Sequence, residues 1–260
     1  MSPTPAPLPT DLAQGLALVG EHLGLFGGDV LWYPDVGSTN DVAGVLAEHG
    51  AGEGVVVVAE RQTAGRGRYG RVWASPAGAG LYLSVVLRPV RPAPLLTLAA
   101  GVAVAEGLLV STGLQASLKW PNDVHLGERK VAGILAESTA SHTILGVGIN
   151  LRPAGYPPDV AARATSVEAE LGRSVDRGLV LGACLCALTA RYRDLQAGCA
   201  AAIVTAWRAR AAATMGRRVE WESDGQRCQG TAAGIAEDGA LLVRAESGLV
   251  RVLSGEVRWT

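Results

Sequence analysis

The residues of this chain best suited to chemistry are concentrated in a glycine- and arginine-rich segment, QTAGRGRYGR at 62–71. Its arginines, Arg66, Arg68 and Arg71, alternate with glycines, and no acidic residue follows them until Glu106. Guanidinium groups stay charged and bind phosphate or carboxylate oxygens in a forked geometry. Glycine allows the backbone to approach a ligand closely. The segment therefore predicts a loop that grips an anionic, phosphate-bearing ligand; the alternative is a solvated basic turn.

Two familiar phosphate-binding motifs do not describe this segment. Gly65 to Gly70 matches the pattern GxGxxG, but the dinucleotide fingerprint requires a helix directly after the glycines and an acidic residue about 20 positions later. Here the glycines lead instead to the loop-like sequence SPAG at 75–78. A Walker loop requires Lys followed by Ser or Thr after its last glycine, and Arg71 stands there instead. A dinucleotide-dependent oxidoreductase is therefore rejected.

Further polar motifs lie on both sides of this segment. The sequence STN at 38–40 precedes a predicted helix, where free backbone N–H groups can receive polar ligand atoms. An ordinary capping box formed by Ser38 and Asp41 is the alternative. Lys119 is unusual because it precedes Trp-Pro in a charge-poor stretch rather than lying on a polar face. Asn122-Asp123 then follows a proline, and a simple turn is the alternative there.

Five motifs together resemble those of the biotin protein ligase family. In the family's order they are STN at 38–40, GRGRYGRVW at 65–73, KWPND at 119–123, RKVAGIL at 129–135 and GVGINL at 146–151. Each alone is modest evidence, whereas all five in this order are highly specific. The end of the chain, with SGEV at 254–257, resembles the family's small SH3-like domain.

The resemblance implies an ATP-dependent reaction in two steps. The carboxylate of biotin attacks the α-phosphate of ATP and pyrophosphate leaves. A lysine of a biotin carboxyl carrier protein, part of acetyl-CoA carboxylase or a related carboxylase, then attacks the biotinyl adenylate. The first step requires no protein nucleophile, because the enzyme has only to hold two anions in line and neutralise charge. Mg²⁺ is expected to accompany ATP, and no metal ligand is assigned.

The resemblance also implies a role for individual positions. The residues expected to bind biotin are Ser38, Thr39, Asn40, Gln62, Arg66, Gly67, Arg68, Lys130 and Gly133. Those expected to bind ATP are Arg68, Arg71, Trp73, Lys119, Asn122 and Asn150. The expected catalytic set is Arg68, Lys119, Asp123 and Lys130. Asp123 is also the candidate base for the carrier lysine. Trp73 would stack on adenine, with a core tryptophan as the alternative. Tyr69 departs from relatives that are basic at this position, which should alter the order or charge of the loop.

The elements that position these motifs indicate an α+β fold with a mixed sheet flanked by helices. The resemblance identifies it as the class II synthetase-like catalytic domain of biotinyl and lipoyl ligases. Helices are predicted at 11–26, 41–49, 95–110, 165–171 and 178–213. Strands are predicted at 29–34, 55–58, 81–87, 115–120, 123–126, 130–137 and 143–149. From Gly216 short strands, with turns at 224–225 and 238–239, predict a small barrel. The predicted parts are a flexible leader at 1–10, a catalytic domain at 11–213 and an SH3-like domain at 214–260.

Composition restricts the function classes. Hydrophobic residues make up 48% of the 260 residues, which permits a sizeable core. The net charge is −1, which argues against nucleic-acid binding by bulk charge. The sequence has no secretion signal and no clean apolar run of about 20 residues, so we expect a cytoplasmic protein without a membrane partner. Only 37 residues precede Ser38, and an independent domain usually needs about 50. A monofunctional enzyme without a DNA partner is therefore expected, and a homodimer is compatible with the sequence.

Two other functions are alternatives to biotin ligation. A lipoate or octanoate ligase would share a related fold, but the intact GRGR and KWPND motifs argue against it. A non-catalytic biotin-binding module would have no need for Lys119 and Lys130, and both are present.

Overall fold

The computed structural model describes residues 3–88, 95–154, 158–223, 225–253 and 257–259. Its helices are α1 (Thr10–Val19), α2 (Thr39–Glu48), α3 (Leu96–Thr112), α4 (Pro158–Ala161), α5 (Val167–Leu171), α6 (Arg177–Gln196) and α7 (Ala200–Arg208). Its strands are β1 (Val30–Tyr33), β2 (Val56–Ala59), β3 (Gly80–Leu87), β4 (Ser117–Lys119), β5 (Asp123–Leu126), β6 (Arg129–Ser138), β7 (Thr143–Asn150), β8 (Arg218–Ser223), β9 (Gln226–Ile235), β10 (Leu241–Ala245), β11 (Gly248–Val252) and β12 (Arg258–Trp259). Short 3₁₀ turns cover Gly20–Gly27, Arg68–Gly70 and Ala211–Ala213.

The first seven strands form one mixed sheet in the order β1-β2-β3-β7-β6-β5-β4. Strands β1 and β2 are parallel, and each later neighbouring pair is antiparallel. The valines of β2 are buried on both faces of the sheet, as expected for an interior strand that helices cover. The predicted mixed sheet with flanking helices is therefore confirmed.

Helix α3 packs between this sheet and α6. Helix α3 itself carries apolar residues on most of its sides. Its one ionisable residue, Glu106, pairs with Arg191 at 3.0 Å and Arg210 at 3.3 Å. A helix that is apolar on most sides has to be largely buried, and the exposed apolar side chains of α3, Leu109 and Val110, lie near its C-terminal end. On the opposite face of the sheet, α2 covers apolar residues of β2 and β3, including Val57 and Val86. No helix within the described ranges is long and apolar enough to span a membrane.

Two helix predictions were wrong in their extent. The predicted helix at 178–213 is interrupted after α6, where Gly198 adopts a left-handed φ of +75°, a conformation that ends helices and favours glycine. The predicted helix at 11–26 ends at Val19 and continues as a 3₁₀ turn. In the predicted leader at 1–10, the Ala6 N–H donates to the Trp32 carbonyl at 2.9 Å, Leu8 packs against the core, and Thr10 begins α1. The domain limits themselves stay predictions.

The last five strands form a separate antiparallel sheet in the order β11-β10-β9-β8-β12. This arrangement is consistent with the expected SH3-like domain. The predicted turn at 238–239 joins β9 to β10, with Gly239 at φ +88°. Asp224, in the other predicted turn, and the SGE of 254–256 lie outside the described residues.

Hydrogen bonds join the segment just before this second sheet, and the turn between β9 and β10, to the strand that carries Lys119. The fully buried hydroxyl of Thr214 donates to the Leu118 carbonyl and accepts from the Trp120 N–H, both at 2.9 Å. The indole N–H of Trp120 donates to the carbonyl of Gly239 at 2.9 Å. The C-terminal region therefore helps to fix the KWPND segment in place.

We expect Thr214→Val to destabilise the protein, because valine has nearly the same shape but leaves the Trp120 N–H and the Leu118 carbonyl without this partner. A buried polar group that loses its partner costs about 1–3 kcal/mol, and urea unfolding measures the change. Thr205→Val, on an exposed face of α7, is the control and should change stability by less than about 0.5 kcal/mol. Equal effects in both variants would contradict the proposed coupling.

Candidate active site

A cavity of about 670 Å³ lies on the polar face of the seven-stranded sheet. It is walled by the start of α2, the loop at 62–74, strands β4 to β7 and the end of β12. The predicted site residues that line it are Ser38, Thr39, Asn40, Gln62, Arg66, Gly67, Arg68, Arg71, Trp73, Lys119, Asn122, Asp123, Lys130, Gly133 and Asn150. The fold therefore brings all of the sequence-predicted positions to one cavity.

Three glycines form a floor without side chains. Gly133 of β6 and Gly148 of β7 are partners across the sheet, and Gly146 lies two residues before Gly148 on the same face. A Cβ atom at Gly146 would be 2.3 Å from Asn40 Oδ1, and one at Gly148 would be 2.4 Å from Trp73 Nε1. One at Gly133 would be 3.0 Å from the Trp73 ring. Any larger residue at Gly146 or Gly148 would therefore displace the side chain that lies above it. Neither of these two glycines was predicted as a site residue.

The inner end of the cavity is the N-terminus of α2. Gln62 Oε1 accepts from the backbone N–H of Thr39 at 2.8 Å and from its hydroxyl at 3.1 Å. Ser38 is the N-cap residue, yet its side chain makes no capping hydrogen bond. The capping box considered for Ser38 and Asp41 is therefore absent, and Gln62 satisfies the helix start in its place. Small polar groups are consequently held at this end by residues from distant parts of the chain.

An ion-pair network fastens the arginine loop to α2 and β6. Arg66 donates to both carboxylate oxygens of Asp41, at 2.9 and 2.6 Å, and it lies 3.3 Å from Glu137. The hydrogen bond to Asp41 raises the pKa of Arg66. Glu137 also accepts from Asn40 Nδ2 at 2.5 Å, and Asn40 Oδ1 accepts from the Ser84 hydroxyl at 2.6 Å. Glu137 was not predicted; it connects the loop to the inner end of the cavity.

The tip of the loop is a tight turn around Tyr69. The backbone N–H of Gly67 donates to the Arg71 carbonyl at 2.7 Å, and Tyr69 adopts a left-handed φ of +57°. Arg68 donates to the Tyr69 hydroxyl at 3.0 Å and lies 4.9 Å from the centre of its ring. The tyrosine that departs from basic relatives therefore holds the neighbouring guanidinium. Trp73, at the end of the loop, packs over the glycine floor.

The outer end of the cavity carries the lysines. Lys130 Nζ is 2.6 Å from Asp123 Oδ1, so the two groups form an ion pair. Their relative orientation does not meet the angles of a hydrogen bond. The ammonium also lies 5.1 Å from the centre of the Trp73 ring. Lys130 and Gly133 are an odd number of residues apart, so a regular strand would point them to opposite faces. A β-bulge in the β5–β6 pairing removes this difference and turns Lys130 towards the cavity.

Burial alters the protonation of two groups here. It lowers the pKa of Lys119 below the ordinary value of 10.5, although Asp123 opposes the shift. Burial, assisted by both lysines, lowers the pKa of His125 to about 4, so its imidazole is neutral near pH 7. His125 lies two residues after Asp123 on β5 and therefore faces the same cavity. This strand alternation was the available signal for His125, which was not predicted.

Two predicted nucleotide ligands make structural hydrogen bonds. Asn122 Nδ2 donates to the Ile134 carbonyl at 2.9 Å, and the Ile134 N–H donates back to the Asn122 carbonyl at 2.9 Å. Asn150 is buried and donates from Nδ2 to the Thr165 carbonyl at 3.0 Å. Both amides thus anchor neighbouring backbone, and their contact with a nucleotide stays a prediction.

Comparisons with known proteins agree with this arrangement. The family model "Biotin/lipoate A/B protein ligase family" matches residues 36–153, and "Biotin protein ligase C terminal domain" matches residues 214–258. The biotin–[acetyl-CoA-carboxylase] ligase of Mycobacterium tuberculosis is 40% identical over 236 residues, which cover 85% of each chain. The chain belongs to the biotin protein ligase family.

Further members of the family give the same result. The biotin–[acetyl-CoA-carboxylase] ligase of Paracoccus denitrificans is 37% identical and covers 85% of this chain, which spans 96% of that relative. The structure of the biotin protein ligase from Aquifex aeolicus in complex with biotin and ATP has a TM-score of 0.78 at 32% identity. That match covers 90% of this chain and 99% of the Aquifex chain.

We expect Asp41→Asn to loosen the arginine loop, because it removes one charge from the network around Arg66. An exposed ion pair is worth about 0.2–1 kcal/mol, so the open loop should become about 1.5- to 5-fold more populated. Limited trypsin digestion after Arg66, Arg68 and Arg71 measures this population when closing is fast. Asp35→Asn, which breaks the exposed pair with Arg61, is the matched control. Equal cleavage of wild type and Asp41→Asn would show that the network does not hold the loop.

Proposed function

We propose that this chain activates biotin with ATP and transfers it to a lysine of a biotin carboxyl carrier protein. The observation that carries the proposal is a single cavity with small polar groups at one end, a glycine floor in the middle and cationic side chains at the other. A ligand that is polar at its head, apolar in its middle and anionic at its tail matches this order, and biotin has that structure. The names of the relatives, ligases of acetyl-CoA carboxylase, support the choice of substrate.

At the inner end, we assign the ureido group of biotin to the start of α2. Thr39 and Asn40 present hydroxyl and amide groups there, and Gln62 and Glu137 fix their directions. The apolar ring and chain of biotin would then run along the cavity beside Trp73, whose ring packs over Gly133 and Gly148. A pocket that combines an apolar wall with a few fixed polar groups is the usual way in which proteins orient a small molecule.

At the outer end, Lys130 meets the carboxylate of biotin and, with Lys119, the phosphates of ATP. A carboxylate oxygen forms a bond to the α-phosphorus while the bond from that phosphorus to the bridging oxygen of pyrophosphate breaks. The two lysines balance the negative charge that both reactants bring, so the anions can approach in line. Lys130 pairs with Asp123 in this structure, and it must exchange that partner for the substrates.

The cavity fits Mg²⁺ that arrives with ATP better than a metal site made by the protein. No cluster of three His, Cys, Asp or Glu side chains among the described residues could hold a metal ion. Mg²⁺ usually binds through one or two carboxylates together with substrate phosphates and water. Asp123 lines the cavity and is the carboxylate we assign to it. When bound, the ion would supply further neutralisation of the phosphate charge.

In the second step, the amine of the carrier lysine attacks the carbonyl carbon of the adenylate and AMP leaves. The attacking nitrogen must lose a proton, and Asp123 stays the candidate base for it. Arg68 and Gly67, at the loop tip, would close over the adenylate until the carrier arrives. The cytoplasmic location, the lack of a DNA target and a homodimer stay predictions from the sequence.

The decisive experiment is ATP–pyrophosphate exchange with biotin and, separately, with lipoate. The proposal requires exchange that depends on biotin, and exchange with lipoate alone would favour the lipoate ligase. We expect Lys130→Ala to lower the exchange rate with biotin by about 100-fold or more. Removal of one hydrogen-bond donor that stabilises developing charge has an effect of this size in other enzymes. Arg129→Ala removes the neighbouring cation, which pairs with Glu170 at 2.7 Å, and should retain activity. Near wild-type exchange by folded Lys130→Ala would exclude the assigned role.

The lowered pKa of Lys119 gives a pH dependence. Because burial brings this pKa below 10.5, the ammonium loses its proton at a lower pH than an exposed lysine. We therefore expect the KM for ATP to rise as the pH is raised towards 10.5. Lys119→Arg keeps its charge throughout this range, so its KM for ATP should change less with pH. Parallel pH profiles for the two proteins would contradict an ATP contact by Lys119.

A further inference from the structure

We propose that His125 is a further ligand-binding residue, whose imidazole Nε2–H donates a hydrogen bond to an oxygen of the pyrophosphate part of ATP. The inference rests on the proposed function, since it concerns how the same cavity holds the leaving group. It starts from one observation: His125 is only 6% exposed, it lines the cavity, and its Nε2 is buried without a hydrogen-bond partner among the described residues.

The position of His125 on the sheet places it among the cationic groups. It lies on β5, directly opposite Lys130 of β6 in the strand pairing, while its neighbour Asp123 is opposite Lys119 of β4. Cross-strand side chains that are directly opposite have Cβ atoms about 5 Å apart. His125 therefore stands between the two lysines, on the face that they share.

The order of the strands identifies which part of the ligand reaches His125. The inner end of the cavity lies over β3 and β7, where Ser84 and Gly146 are partners. From β7 the ligand must cross β6, which carries Gly133 and Lys130, before it reaches β5. Two strand spacings amount to about 10 Å. The biotin carboxylate would meet Lys130 on the way, so the group that lies beyond it is the polyphosphate of ATP.

The chemistry of the imidazole suits an oxyanion. Buried polar atoms nearly always have partners, and an exception calls for an explanation. An imidazole nitrogen that carries a proton donates a hydrogen bond, and two flanking ammonium groups favour an anion as the acceptor. Lysine ammonium groups rotate freely as point charges, whereas a ring buried in the sheet has one fixed direction. His125 would accordingly define where the phosphate oxygen sits, while the lysines supply the charge.

Two variants of His125 test this inference. His125→Phe keeps the ring shape and removes the donor, and His125→Gln keeps an N–H donor. Calorimetry measures the Kd of α,β-methylene-ATP and of biotin, and the exchange assay gives the KM for pyrophosphate. Loss of a hydrogen bond to a charged group predicts that His125→Phe raises the Kd of the ATP analogue and the KM for pyrophosphate by roughly 10-fold or more. The Kd of biotin should stay within about 2-fold, and His125→Gln should recover most of the loss.

His142→Phe is the matched control, because His142 is also buried but lies between β6 and β7 and is not among the residues that line the cavity. A folded His125→Phe protein that binds the ATP analogue and pyrophosphate like wild type would overturn the inference and leave water as the partner of Nε2. If His125→Phe does not fold, we compare His125→Gln with His125→Asn, whose side chain is shorter. Only the glutamine variant should then bind the ATP analogue and pyrophosphate normally. If wild type shows no exchange with biotin, the proposed function fails, and calorimetry with pyrophosphate still tests His125.

Discussion

The bare strip of sheet formed by Gly133, Gly146 and Gly148 is the constraint on which the rest of the site depends. Side chains on a sheet face normally fill the space next to it, and here their absence makes room for side chains from other elements. Asn40 and Trp73 approach the backbone of the strip to distances that no Cβ would allow. The same strip separates the polar inner end of the cavity from the lysines at its outer end.

Two kinds of positive charge flank this strip and differ in how they are held. The lysines stand on strands, and a β-bulge turns Lys130 towards the cavity. The arginines stand on a glycine-rich loop whose ordering costs conformational entropy. The ion pairs of Arg66 with Asp41 and Glu137 offset part of that cost. We infer that the lysines on the strands neutralise the charge of a ligand, whereas the arginine loop closes over the cavity.

Much of the site was predictable from the sequence because its residues lie in short motifs that keep their spacing. The mixed sheet also followed from strand patterns, since alternation and valine-rich runs are local signals. What sequence could not supply were long-range partners. Glu137 takes its role from Arg66 and Asn40, which lie 71 and 97 residues away. The break at Gly198, by contrast, had a local signal, because a glycine in the left-handed conformation commonly ends a helix. The lone His125 had no motif to mark it, although its strand position would have paired it with Asp123.

The hydrogen bonds of Trp120 limit how this enzyme can be divided into fragments or recombined with a relative. Trp120 belongs to the KWPND motif, yet its backbone and indole N–H groups are held by Thr214 and Gly239. The two regions matched by separate family models therefore cannot be exchanged independently between family members. A chimera of two ligases would need Trp120 and its hydrogen-bond partners from the same protein. A fragment that ends at 213 would lose the anchors beside Lys119, so trimming the chain would disturb the position of this lysine as well as the stability.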